Sequence, residues 1–232
     1  MRRLHAMAAV LGLMTLALAG PALAHNISGK DAAFVASSAG AHIGPFLYLG
    51  AKHMVTGYDH LLFILGVVFF LYRLKHVALY VTMFSLGHSI TLLAGVLGDI
   101  HVNAYLIDAI IGLSVAYKAF DNLDGFRTLF GVQPDTRLVV LVFGLFHGLG
   151  LATKLQELHL SHRGLLANLI SFNVGVEIGQ LIALSLMLGL MLMWRKARGF
   201  ANQAVLANIV ILTAGFVLMQ YQLVGYFTHR GA

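Results

Sequence analysis

The sequence predicts an all-α polytopic membrane protein, a six-transmembrane-helix bundle after a cleaved signal peptide. Three observations carry this expectation. Of 232 residues, 59% are hydrophobic and the mean hydropathy is +0.85, outside the range of ordinary water-soluble domains. The apolar residues gather in runs of about 20, the length at which a helix crosses a bilayer core of about 30 Å. The 15 Lys and Arg outnumber the 9 Asp and Glu, yet they are scattered in the breaks between those runs. That is where orientation signals belong, so the positive charge implies no nucleic-acid binding.

The chain opens with Arg2-Arg3, an apolar core from Ala6 to Ala19, and small residues at Ala22 and Ala24. This pattern reads as a signal peptide over residues 1–24, cut before His25, because the core is short for a span. Export of this kind predicts a multi-pass protein of the bacterial inner membrane. Residues 25–53 are mildly apolar, interrupted by glycine, serine and Pro45, and are expected to form a periplasmic or interfacial segment. The transmembrane domain follows over residues 54–226, with a tail at 227–232. Its six spans are expected at about Met54–Tyr72, Val77–Val96, Ala104–Ala119, Leu138–Leu155, Leu165–Trp194 and Val205–Tyr226. This count places Arg73, Lys75, Lys118, Arg127, Arg137, Arg195, Lys196 and Arg198 in the cytoplasm, as the positive-inside tendency requires. A further span in 32–51 would put those loops outside.

Polar residues inside these spans are costly, since an acid at a helix centre costs about 2.5 to 3.5 kcal/mol on insertion scales. Such residues mark a functional interior by default. At the mouth of the first span stand His53, Asp59 and His60. In an unbroken helix the two histidines would lie about 10 Å apart. One ion with bonds of about 2 Å could not be bound by both. Either the helix breaks near Gly57 or the histidines are successive stations. The simpler alternative is that Asp59 caps a helix and the histidines sit wet at the interface.

The second span carries Ser85, His88 and Thr91 on one face, and the third carries Asp108. In the fourth, Gly144 and Gly148 form a small-xxx-small pair around His147. The fifth has a polar stripe of Asn173, Glu177 and Gln180, with Gly175 and Gly179 on a different face as a packing seam. Its acid is expected to turn inward. Counted from the span ends, His88, His147 and Glu177 fall near mid-membrane, whereas Asp59, His60 and Asp108 fall nearer the outer face. Any one of these histidines alone is more simply an interhelical hydrogen-bonding residue; together they point to a ligand set.

There is no cysteine, so a metal here would be held by His, Asp, Glu, Asn or Met. Those ligands favour nickel, cobalt, zinc or iron over copper(I). No G-x-x-x-x-G-K-[ST] occurs, which excludes a built-in ATP-driven pump.

The run His53 to Phe63, containing Gly57-Tyr58-Asp59-His60-Leu61-Leu62-Phe63, resembles the H-x-x-x-G-x-D-H signature of the HupE/UreJ family. These membrane proteins are associated with hydrogenase and urease gene clusters. Ser85 to Leu92, Phe146-His147-Gly148-Leu149-Gly150 and Phe172 to Gln180 are similar to blocks of its second subfamily, so the resemblance covers about Gly40 to Trp194. It implies a nickel or cobalt permease. The better-studied branch has an acid shortly after its F-H-G block, where this chain has Leu151-Ala152-Thr153. Glu177 on the next helix is then the carboxylate available to replace it.

The expected function is inward transport of a divalent transition-metal ion, nickel or cobalt, with zinc and iron as alternatives. His53 would serve the entrance, Asp59 and His60 would receive the ion, and His88, His147 and Glu177 would bind it at the midplane. The ion is substrate, and no cofactor is expected; the expected partners are the ion and the lipid bilayer, and the sequence leaves any protein partner open. The chain is expected not to be an enzyme. The alternatives are a zinc-dependent intramembrane hydrolase with Glu177 as general base, and an accessory membrane subunit of a metalloenzyme maturation system. The absence of H-E-x-x-H and H-x-x-x-H weighs against the hydrolase.

Overall fold

The computed structural model of the protein describes residues 30–71, 74–158 and 161–229; the expected signal peptide lies outside them. The regular elements among the described residues are all helices. They are α1 (Lys30–Ser37), α2 (Ile43–Thr56), α3 (Tyr58–Val68), α4 (Leu74–Leu97), α5 (Ala104–Asn122), α6 (Gly125–Phe130), α7 (Thr136–Glu157), α8 (Leu165–Trp194) and α9 (Phe200–His229). Four stretches are long and apolar enough to cross a membrane: Lys75–Leu97, Thr136–Glu157, Leu165–Trp194 and Phe200–Thr228. The chain is a multi-pass membrane protein.

Within a bilayer, helices gain little from apolar burial against one another, so close backbone packing through small residues holds them together. Three helix pairs use such seams. α4 runs parallel to α7: Gly144 meets Phe84, and a Cβ on Gly148 would land on the carbonyl oxygen of His88. α2 runs parallel to the first half of α8, where a Cβ on Gly175 would land on the carbonyl oxygen of Leu47. α5 runs antiparallel to α9, with Gly112 against Leu218 and Gly215 against Ala116. The short α3 fills the space between the pairs. Asn122 on α5 ties it there, donating to the carbonyls of Gly66 at 2.8 Å and of the Asn208 side chain on α9 at 2.9 Å.

Residues 43–56, mostly within the segment expected to be periplasmic or interfacial, form a helix packed along α8. Ser171 on α8 donates to the carbonyl of Ile43 at 2.5 Å. At the other end of α8, the Arg195 guanidinium donates to the carbonyls of Val68 and Phe69 at 2.7 and 2.8 Å. Ile43 to Val68 therefore runs beside Ser171 to Arg195, which at about 1.5 Å per residue is about 36 Å of helix. That exceeds a hydrocarbon core of about 30 Å. α2 and α3 lie end to end along α8, with a break at Gly57. Asn168 fastens the outset of α2, accepting from the His42 N–H at 2.7 Å and donating to the Gly40 carbonyl at 2.9 Å. Lys52 of α2 pairs with Asp31 of α1 at 2.6 Å.

Candidate metal centre

The break at Gly57 creates the site. Gly57 has φ −72° and ψ 105°, an extended turn between two helices that redirects the chain. Its N–H still donates to the His53 carbonyl at 2.9 Å, and its carbonyl accepts from Leu61 N–H at 3.0 Å, so the backbone groups of the break remain satisfied. Any residue can adopt these angles; what requires glycine is proximity. A Cβ here would stand 2.9 Å from His60 Nδ1 and 3.2 Å from Asp59 Oδ1. The break resolves the choice left by the sequence, because the imidazole centroids of His53 and His60 come to 5.0 Å.

His60 is the centre of the group. Its ring lies 4.9 Å from that of His147 on α7 and 6.1 Å from that of His88 on α4. His60, His88 and His147 are fully buried, Asp59 is 2% exposed and His53 9%. Donor nitrogens of His53, His60 and His88 all lie within 4.8 Å of one another. Two donors on one tetrahedral ion at bonds of about 2.1 Å are about 3.4 Å apart. Small side-chain rotations would therefore close these three on an ion.

Hydrogen bonds orient the rings. The Nδ1 of His147 faces the Phe143 carbonyl at 2.8 Å, which makes it the protonated nitrogen and leaves the lone pair on Nε2. The Nδ1 of His60 lies 3.2 Å from Asp59 Oδ1, the carboxylate–imidazole arrangement that turns Nε2 toward an ion and raises its basicity. Aromatic rings form the walls. Phe84 lies 4.9 Å from His147 and Phe63 lies 5.6 Å from it, while Phe172 lies 6.0 Å from His53. Such walls lower the local dielectric and keep bulk water away.

The structure thus gathers His53, Asp59, His60, His88 and His147 at one level, near the middle of α4 and α7. Asp59 and His60 were expected nearer the outer face than His88 and His147; they stand at the level of both, because α2 precedes them along α8. Glu177 does not join them, and this corrects its expected midplane role. It is exposed, beside the stripe Ile170, Val174, Ile178 and Leu181 that α8 turns outward. The α8 side chains that do turn inward are Asn173 and Gln180, both buried. Asp108 is not in the group either, since it pairs with Lys154 of α7 at 2.8 Å.

A family model described as HupE / UreJ protein matches residues 29–230. The chain belongs to the HupE/UreJ family. That family is linked to nickel and cobalt transport or to metalloenzyme maturation, and so to the handling of metal ions. No curated protein and no solved structure matches the chain. In this HupE/UreJ protein the signature His53 to Phe63 is the helix break itself, and its two histidines are neighbours across it.

Two pairings were not foreseen from the sequence. Lys154 lies 46 residues from Asp108, and Ser85 donates to the Gln180 side-chain oxygen, 95 residues away, at 2.5 Å. Neither pairing has a local signal, although each partner is a polar residue in an apolar run.

Proposed function

We propose that the protein is a permease carrying a divalent transition-metal ion, nickel or cobalt, inward across the bacterial inner membrane. The observation that carries this reading is the meeting of four buried histidines and Asp59, from four helices, at a helix break in mid-crossing. Discontinuous helices with ligands at the break are how membrane transporters build ion sites at the midplane. Neutral imidazole with one carboxylate suits nickel, cobalt or zinc. Donors spaced up to 4.8 Å apart fit a site that closes on its ion and opens again, rather than a permanently closed structural centre.

In this reading the crossings number six: α2 with α3, then α4, α5, α7, α8 and α9. The end of the bundle where α8 finishes carries Lys75, Arg127, Arg137, Lys196 and Arg198, and we take it as cytoplasmic. The ion arrives along α2, is held between His53, His60, His88 and His147 with Asp59 supplying negative charge, and leaves toward the basic end. A hydrolase is disfavoured, because Glu177, its general base, is exposed and outside the group.

The test is flux. Purified protein in liposomes, offered nickel, cobalt, zinc, iron and copper separately, should admit nickel or cobalt, with internal metal read by mass spectrometry. Binding without flux would overturn the permease reading and favour an accessory subunit.

A further inference from the structure

A buried imidazole that binds an ion through one nitrogen carries its proton on the other, and that N–H needs an acceptor. In the group at the break, His147 has the Phe143 carbonyl and His60 has Asp59. His88 is fully buried, with the Phe84 ring stacked on it at 6.3 Å. Among the described residues, neither of its ring nitrogens has a hydrogen-bond partner. Two unpaired nitrogens on one dry ring are held at a cost, and such an exception calls for an explanation. An ion accounts for one of them; the other still needs an acceptor.

Asn173 on α8 offers one. It is 8% exposed, and its amide is close enough to His88 for the two side chains to interact, although no aligned bond joins them. Its Nδ2 donates to the Leu169 carbonyl, one turn back on α8, at 3.0 Å. That bond decides which end of the amide is which, because a reversed amide would set two oxygens against each other. Oδ1 is the end left over, and it is buried with no hydrogen-bond partner among the described residues. An unused acceptor thus stands beside a ring with an unused N–H. We infer that Asn173 is the positioning residue of His88, receiving the N–H of one ring nitrogen and so directing the lone pair of the other at the ion. The inference rests on the reading that these histidines hold a divalent cation. It gives α8 a polar part in the site, at the residue after Phe172, whose ring lies 6.0 Å from His53. An amide suits the task, since it accepts a hydrogen bond without adding charge to a site that must release its cation.

The experiment is equilibrium nickel binding to the purified protein in detergent, for wild type, Asn173→Leu, His88→Asn and the double variant. Leucine keeps the volume and removes the acceptor, so affinity should fall about 10- to 100-fold, the range seen when an orienting partner is lost from a metal ligand. In the His88→Asn background the same substitution should cost less than about twofold, because a residue acting through His88 has nothing left to position. Asn173→Asp keeps an acceptor oxygen and should bind nickel at least as tightly as the wild type. Should the leucine variant fail to fold, Asn173→Ala repeats the cycle. Wild-type affinity in Asn173→Leu would overturn the inference. So would an equal loss in both backgrounds, the mark of a direct oxygen ligand or of a purely structural amide, and so would a loss in Asn173→Asp matching that in Asn173→Leu. A wild type that binds no nickel would bring down the metal centre and the inference with it, whereas binding without uptake into liposomes would bring down the permease reading alone.

Discussion

Asp59 and Asp108 are both acids within the helical bundle, and they are answered in different ways. Asp108 on α5 receives the ammonium of Lys154 on α7 at 2.8 Å, with both side chains largely buried at 11% and 16% exposure. Asp59 meets the imidazole of His60 at 3.2 Å. A lysine is a fixed cation, so the first pair is neutral without outside help and locks α5 to α7. An imidazole can remain neutral while its second nitrogen binds an ion, so in the proposed permease the second pair completes its charge balance with the cargo cation. One acid serves the fold and the other serves the site.

The largest effect is expected at Asp108. Asp108→Asn leaves Lys154 buried without its partner, a change that costs about 3 to 5 kcal/mol when one side of a buried pair is removed. The thermal midpoint in detergent should fall sharply, and Asp108→Asn with Lys154→Met should recover most of the loss. Nickel binding per folded molecule should hardly change. If the single substitution is silent in stability, the pair is not the lock described here.

The converse is expected at the functional acid. Asp59→Asn or His60→Asn should lower nickel uptake by about 100-fold, at the upper end for loss of an orienting or ligating group. Folded yield and thermal midpoint should stay near wild type. A large stability loss with uptake per folded molecule preserved would reverse the two roles.

A smaller effect is expected at the break. Gly57→Ala is compatible with the backbone angles, but its Cβ would stand 2.9 Å from His60 Nδ1. The imidazole must shift, so uptake should fall about tenfold while the chain folds normally. Alanine transporting at the wild-type rate would show that the His60–Asp59 geometry is loose. The smallest effect is at Glu177, where the exposed position predicts less than about 0.5 kcal/mol in stability for Glu177→Gln. Uptake should stay near wild type, and a collapse of uptake would return Glu177 to the site.

Four crossings were legible because each is a long apolar run, and their helices α4, α7, α8 and α9 follow the expected spans closely. The packing of α2 was not legible because the helix is short and Pro45, Lys52 and His53 lower its hydropathy; its fit depends on Gly175 and Gly179, far along the chain. The polar members of the site stood out, since His53, Asp59, His60, His88 and His147 interrupt apolar sequence. Their heights did not, because an extended turn at Gly57 resets the register of everything before it. Glu177 shows the limit of helical arithmetic. Its spacing from Asn173 and Gln180 puts it near their face, yet a rotation of a few tens of degrees moves it onto the side where Val174 and Ile178 are exposed.

Whether His60 and its neighbours hold the transported ion at the break is decided by nickel X-ray absorption on the purified protein with one equivalent of nickel. The account predicts nitrogen and oxygen neighbours at about 2.1 Å, the imidazole bond length to a divalent first-row ion, with scattering from several imidazole rings that diminishes in His60→Asn. A spectrum of water oxygens alone, or an imidazole signal unchanged in His60→Asn, would contradict it.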